Sequence, residues 1–198
     1  MQEPATTLVQ DAPNISYAYK ASLIGSAHQF ELMPHGLSWR LAGRSGIWAY
    51  ADIAAIRLSY RPVSMQAHRF RADLRHTDGG RLLLLSTSWQ TAALMAPQDN
   101  GYRAFITELH ARMAKAGSSA ELTGGLGRKT YAAALALVAL VGIMLLALFI
   151  RSLAIGQFAG ALFFVGFAAL FAWQVGGFVR RNRPLTYSFD HVPEALLP

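Results

Sequence analysis

Tyr131–Val179 reads YAAALALVALVGIMLLALFI, then Arg151-Ser152, then LAIGQFAGALFFVGFAALFAWQVGGFV. Neither run contains a charged residue, and the only strongly polar side chains of the second are Gln157 and Gln174. A bilayer core of about 30 Å takes about 20 apolar residues at a helical rise of about 1.5 Å each. Both runs meet that length, so the stretch predicts a helical hairpin crossing a membrane twice, with spans over 131–150 and 153–179. The rival reading is a buried helix pair. It requires enough surrounding protein to cover two helices that are apolar all round, and the rest of the chain amounts to one small domain and a short tail.

The charges outside the hairpin orient it. Of the 198 residues, 1–127 hold twelve Lys/Arg against nine Asp/Glu, a net +3; residues 128–198 hold six against two, a net +4. Arg128 and Lys129 precede the first span, Arg180, Arg181 and Arg183 follow the second, and the turn offers Arg151 alone. Lys and Arg collect on the cytoplasmic side of short loops. The expected protein is therefore a multi-pass inner (plasma) membrane protein with both termini cytoplasmic. Its amino-terminal MQEPATTLVQDAPN lacks the apolar core of a cleaved signal peptide. There is no cysteine, which excludes a disulfide framework, a thiolate metal site and a cysteine nucleophile.

Residues 1–15 are polar and aperiodic and predict a flexible arm. From Tyr17 to Ser88 short alternating runs are broken by turn residues, which predicts six or seven antiparallel strands. Leu37, Trp39 and Leu41 share one face, Gly43–Gly46 marks a turn, and Ile53–Arg61 ends at Pro62. In His68–His76, Phe70, Ala72 and Leu74 alternate with Arg69, Arg71, Asp73 and Arg75; Asp78-Gly79-Gly80 is a hairpin signal. Asp99 or Asn100 can cap a helix running to Lys115. Its apolar stripe is Tyr102, Phe105, Ile106, Leu109 and Met113. The soluble domain thus spans 16–116. Glycines at 117, 124, 125 and 127 make residues 117–130 a flexible linker, and residues 180–198 form a basic, Pro-containing tail. Pro184 stops the second span, and Leu185, Tyr187, Phe189, Val192, Leu196 and Leu197 are too apolar for a solvated end. The tail is expected to fold back on the domain or the membrane interface, with a disordered end as the alternative.

The run Leu37–Tyr50, the step Tyr50-Ala51-Asp52-Ile53 into a long strand, the Asp78-Gly79-Gly80 hairpin and the helix at Tyr102-Arg103-Ala104-Phe105 resemble bacterial PH-like domains joined to transmembrane hairpins. The tail, with Arg181-Asn182-Arg183-Pro184 and Val192-Pro193, is similar to uncharacterised membrane proteins of that kind. The resemblance implies an α+β fold, an antiparallel PH-like sheet or barrel capped by one helix and followed by the transmembrane hairpin. It implies no activity.

No phosphate-loop, nucleophile-elbow, dinucleotide or HExxH motif occurs. Gly124–Lys129 has the wrong spacing for a phosphate loop and enters a span. No catalytic residue, cofactor or metal site is expected. The suggestive polar feature is a basic strand face: Arg57 and Arg61 share parity on one strand, Arg69, Arg71 and Arg75 on the next. Two readings stand, a solvated face of Arg–Asp pairs, or a surface for lipid phosphates or an acidic partner. Arg180, Arg181 and Arg183 are candidates for anionic headgroups. Nucleic acid is not expected at a domain charge of +3 with no reading motif. Gly156 and Gly160 form a GxxxG that could pack helices within or between chains. The leading expectation is a non-enzymatic inner-membrane protein whose domain binds a protein or anionic lipid at the membrane surface. A membrane-bound enzyme of unknown type and a homo-oligomerising scaffold are the alternatives.

Overall fold

The computed structural model describes residues 15–62, 68–91 and 94–198. The arm expected over 1–15 lies outside them except for Ile15, which starts the first strand. The fold is α+β. Strands β1 (Ile15–Tyr19), β2 (His28–Met33), β3 (Gly36–Leu41) and β4 (Arg44–Ala49) form an antiparallel sheet in chain order. Register puts Tyr17, Phe30 and Trp39 in one row and Leu32, Leu37 and Trp48 in the next. Period-two alternation places both rows on the core face.

A 3-10 turn at Tyr50–Asp52 leads into β5 (Ile53–Tyr60), followed by β6 (Phe70–His76) and β7 (Arg81–Leu85). These three are antiparallel, with Ile56, Leu74 and Leu82 aligned across them and buried. Tyrosines of the first sheet close the seam between the sheets: Tyr17 donates its O–H to the Leu85 carbonyl at 2.5 Å, and Tyr19 donates to Leu83.

Two expectations for this region change. The alternating runs expected as far as Ser88 do not end there in one strand: β7 stops at Leu85, and a separate pair, β8 (Thr87–Thr91) and β9 (Leu94–Pro97), begins after Ser86. Ser86 is fully buried, and its hydroxyl accepts the Phe70 N–H at 2.9 Å. Nine strands thus precede the helix among the described residues.

Helix α1 (Asp99–Lys115) covers the core with the expected stripe, since Tyr102, Phe105, Ile106, Leu109 and Met113 are all buried. Its N-cap is Gln98, with no side-chain capping bond; Asp99 sits in the first turn, where its charge favours the helix dipole. Arg112, placed off the stripe by periodicity, is also buried. Its Nη1 donates to the Leu32 carbonyl at 2.8 Å and its Nε to Glu108 at 2.8 Å.

The linker expected over 117–130 contains a strand. β10 (Glu121–Gly124) lies beside β5, pairing Leu122 with Ile56, and it runs parallel. The second sheet is therefore mixed, in the order β11-β10-β5-β6-β7, where β11 is Leu185–Thr186. The tail folds back through β11. Leu196 is fully buried, Leu197 nearly so, and Tyr187, Phe189 and Val192 pack on the same core.

Two long helices leave this domain, α2 (Arg128–Ala154) and α3 (Phe158–Arg181). Both are long and apolar enough to span a membrane, with mean hydropathy of 3.0 and 1.9 in their most apolar windows. Only 6% of the first window and none of the second is buried within the chain, so neither helix is covered by the rest of it. The turn falls later than Arg151-Ser152. Gly156 adopts φ 74°, its N–H reaches the Leu153 carbonyl at 3.0 Å, and Gln157 N–H reaches the Ser152 carbonyl at 2.9 Å. This is a Schellman cap, which ends a right-handed helix through one left-handed residue. Gly156 therefore serves the turn between the helices. Gly160 does sit at a close approach, because a Cβ there would lie 2.7 Å from Ser152 Oγ.

The tail contact carries a pH dependence. The Ile106 carbonyl can only accept, so His110 carries its proton on Nδ1 (2.7 Å), and Nε2 accepts the Tyr187 O–H at 3.0 Å. Phe189 also faces the ring. Burial holds His110 below the ordinary 6.5, with the Ile106 hydrogen bond opposing. The folded state thus prefers the neutral ring, while the unfolded chain takes up a proton below about 6.5. The stabilisation is complete above that pH and is lost as pH falls through the depressed folded value. The thermal midpoint of the full chain is expected to drop between pH 7.5 and 5.5. His110→Gln should flatten that slope; an unchanged slope in the variant would assign it to other groups, among them His28, which burial also lowers.

Candidate anion-binding surface at the base of the hairpin

β5 and β6 are neighbours, so the arginines of matching parity share the outer face of the second sheet. Ala55 pairs with Arg75, Arg57 with Asp73 and Ser59 with Arg71, and the Arg61 N–H reaches the Arg69 carbonyl at 2.7 Å. The five do not form one cluster. Arg75 is exposed opposite Arg81 at the far end. Arg57 turns toward β10, its Nε donating to Thr123 Oγ1 at 3.4 Å, and a Cβ on Gly127 would lie 3.9 Å from its Nη1.

Arg61, Arg69 and Arg71 are brought together. Arg71 bonds Asp73 at 2.9 Å, but Asp73 is shared with Arg81, whose Nε reaches it at 2.6 Å. Burial works against the Asp73 charge, yet the bonds from Arg81 and Arg71 hold its carboxyl below the usual range. Burial and the neighbouring Arg71 both lower Arg61, with Asp73 opposing; burial, then Arg71 and Arg61, lower Arg69. Arg69 Nε is buried with no hydrogen-bond partner among the described residues. Like charges are crowded here around one shared carboxylate, an arrangement that a bound oxyanion would relieve.

The clamp that holds this end of the sheet to the hairpin was not legible in the sequence. Asn182, directly after α3, is fully buried. Its Oδ1 accepts the Tyr60 N–H at 3.1 Å, and its Nδ2 donates to the Tyr60 carbonyl at 2.9 Å and to the Phe178 carbonyl at 3.2 Å. β10 pairs with β5 as far as Leu58, whose carbonyl takes the Gly125 N–H at 2.8 Å. The Asn182 amide then stands in for the next residue of a neighbouring strand, and its own carbonyl accepts the Leu126 N–H at 2.9 Å. The ends of both long helices are thereby fastened to β5.

Arg181 lies over the Tyr60 ring, 4.9 Å from its centroid, and with Arg180 it lines a cleft that also contains His68. Arg183 is exposed. Between α2 and α3 runs an apolar groove of about 590 Å³, bordered by Gly142, Leu145, Phe164 and Val175 among others. No group of three or more His, Asp or Glu side chains converges in a metal-holding arrangement among the described residues. No known protein family matches the chain, and no curated protein matches it.

Proposed function

We propose that this chain is a membrane-anchored binding module: a PH-like domain on the cytoplasmic face of the inner membrane, held by the α2–α3 hairpin, that engages anionic phospholipid headgroups through its arginine-rich sheet end. One observation carries the reading. The Arg61–Arg69–Arg71 cluster, short of carboxylates, lies at the end of β5 and β6 that Asn182 fastens to the base of two exposed apolar helices. A basic residue near an anionic leaflet contributes about 1 kcal/mol, and the clamp spares the domain the entropy of finding the surface.

Two measurements test it. Single cysteines replacing Ser119 and Ser188 should be shielded from an impermeant thiol reagent in intact cells, and one replacing Gln157 at the exposed turn should react. Labelling at Ser119→Cys from outside overturns the orientation. In the second measurement the solubilised full chain is titrated with phosphatidylglycerol. Arg61, Arg69 and Arg71 replaced together by Gln should weaken the salt-sensitive lipid adducts by roughly 100-fold at low ionic strength, at about 1 kcal/mol per residue. Retention of those adducts, with loss of an acidic protein partner instead, would assign the face to protein.

A further inference from the structure

The cleft beside α3 is separate from the arginine face of the sheet. It holds about 280 Å³, just below the roughly 300–1,000 Å³ of pockets for drug-sized ligands. His68 enters from two residues before β6, and Trp173, Gln174, Gly177, Arg180 and Arg181 from α3. Neither Arg180 nor Arg181 forms an ion pair with a carboxylate among the described residues; Asp99 and Glu194 border an adjoining space that shares both arginines and His68. We infer that this cleft binds the phosphodiester of one anionic phospholipid, with the guanidiniums on the phosphate and Gln174 and Trp173 as further donors. The inference rests on the membrane placement proposed above.

Three features select this ligand. The two guanidiniums sit at the C-terminal end of α3, where they offset the helix dipole while keeping donors free for an oxyanion. Asp99 and Glu194 border the adjoining space, and their charge opposes a multiply charged phosphate more than a singly charged one. The apolar part of the ligand has a path. At 3.6 residues per turn, the cleft residues 173, 174 and 177 face away from the α2 groove residues 172, 175 and 179. Above the cleft the same side of α3 continues as exposed Leu170, Phe167 and Phe163. A headgroup in the cleft therefore leaves its acyl chains along an open hydrocarbon face, which a soluble phosphate would not use.

Gly177 supplies a test that changes no charge. A Cβ there meets no described atom within 4 Å outside its own helix backbone, so Gly177→Leu brings apolar volume into the cleft with no clash at the Cβ. Native mass spectrometry of the detergent-solubilised full chain is carried out with phosphatidylglycerol, phosphatidylcholine and glycerol 3-phosphate as probes. Wild type should keep one tight phosphatidylglycerol per chain, bound about tenfold or more tightly than phosphatidylcholine and not displaced by glycerol 3-phosphate. Gly177→Leu and Arg181→Gln should each weaken that adduct about tenfold. The Arg61/Arg69/Arg71→Gln chain should keep it while losing the weaker, salt-sensitive adducts, which separates this site from the sheet face. Equal retention of phosphatidylcholine, or tight binding of glycerol 3-phosphate, overturns the phospholipid assignment. Unchanged binding in Gly177→Leu overturns the cleft; should that variant melt early, unchanged binding in Arg180→Gln/Arg181→Gln does so instead.

Discussion

Asn182→Ala is expected to destabilise the full chain by about 2–5 kcal/mol. The side-chain amide pairs with both the N–H and the C=O of Tyr60, and Tyr60 is buried. Each buried backbone group left without a partner costs about 1–3 kcal/mol. Asn182→Asp should not restore stability, because one carboxylate oxygen would face the Tyr60 carbonyl inside a buried site. Gly125→Ala strikes the same joint from the other side. Gly125 holds φ 77°, and a Cβ there would stand 2.4 Å from the Arg183 carbonyl oxygen and 2.5 Å from that of Asn182. The chain around residues 182–183 would have to move, and the double variant should cost less than the sum of the two singles. Denaturant unfolding in detergent gives the energies. Hydrogen exchange at Tyr60 and Leu126 shows whether the joint has opened; unchanged protection there in Asn182→Ala would mean that water replaces the amide at little cost.

Phe105→Ala should lower stability by about 3–5 kcal/mol, as for other buried aromatic truncations. The ring is 1% exposed and contacts two adjacent rings of the first sheet's core row, Tyr17 at 5.7 Å and Phe30 at 6.4 Å. Tyr17 belongs to β1, which its own hydroxyl and that of Tyr19 pin to β7, and Phe30 to β2, paired along the whole of β1, so the site cannot easily collapse around the void. Because α2 and α3 lie outside this core apart from Phe178 near the end of α3, their helicity should survive while the domain's unfolding midpoint falls. A midpoint within error of wild type would mean that α1 does not hold the sheets together.

Patterns that depend on nearest neighbours were legible in the residues. Strands β2 and β6 followed period-two alternation, and the α1 stripe at i, i+3, i+4, i+7 and i+11 was buried as expected. The hairpin was evident from length and lack of charge, but its turn was displaced by several residues. Arg151 and Ser152 are tolerated in the last turn of α2, where a cation suits the dipole and the Ser152 hydroxyl bonds the Gln157 carbonyl at 2.8 Å. The signal that ends the helix was Gly156. β10 leaves no local signal, because a four-residue strand flanked by glycines has one inward apolar side chain, Leu122, and its pairing partner lies some 65 residues earlier.

Among the candidate arginines, the sequence determined a shared face through parity alone, and tertiary structure decided which members meet. Arg57 is drawn to Thr123 on a strand that parity could not reveal, and Arg75 is left at the far end opposite Arg81. Arg61, Arg69 and Arg71 are crowded because the chain returns between β5 and β6 at that end. The membrane-length apolar runs, the basic residues at their ends and the amphipathic cap were set by composition and period, which are local properties of the chain. The Asn182 clamp and the cleft between His68 and α3 depend on groups brought together across more than a hundred residues, and the parallel strand on groups more than sixty apart. No local pattern records such pairings, because their free energy exists only once the sheet and both helices are in place.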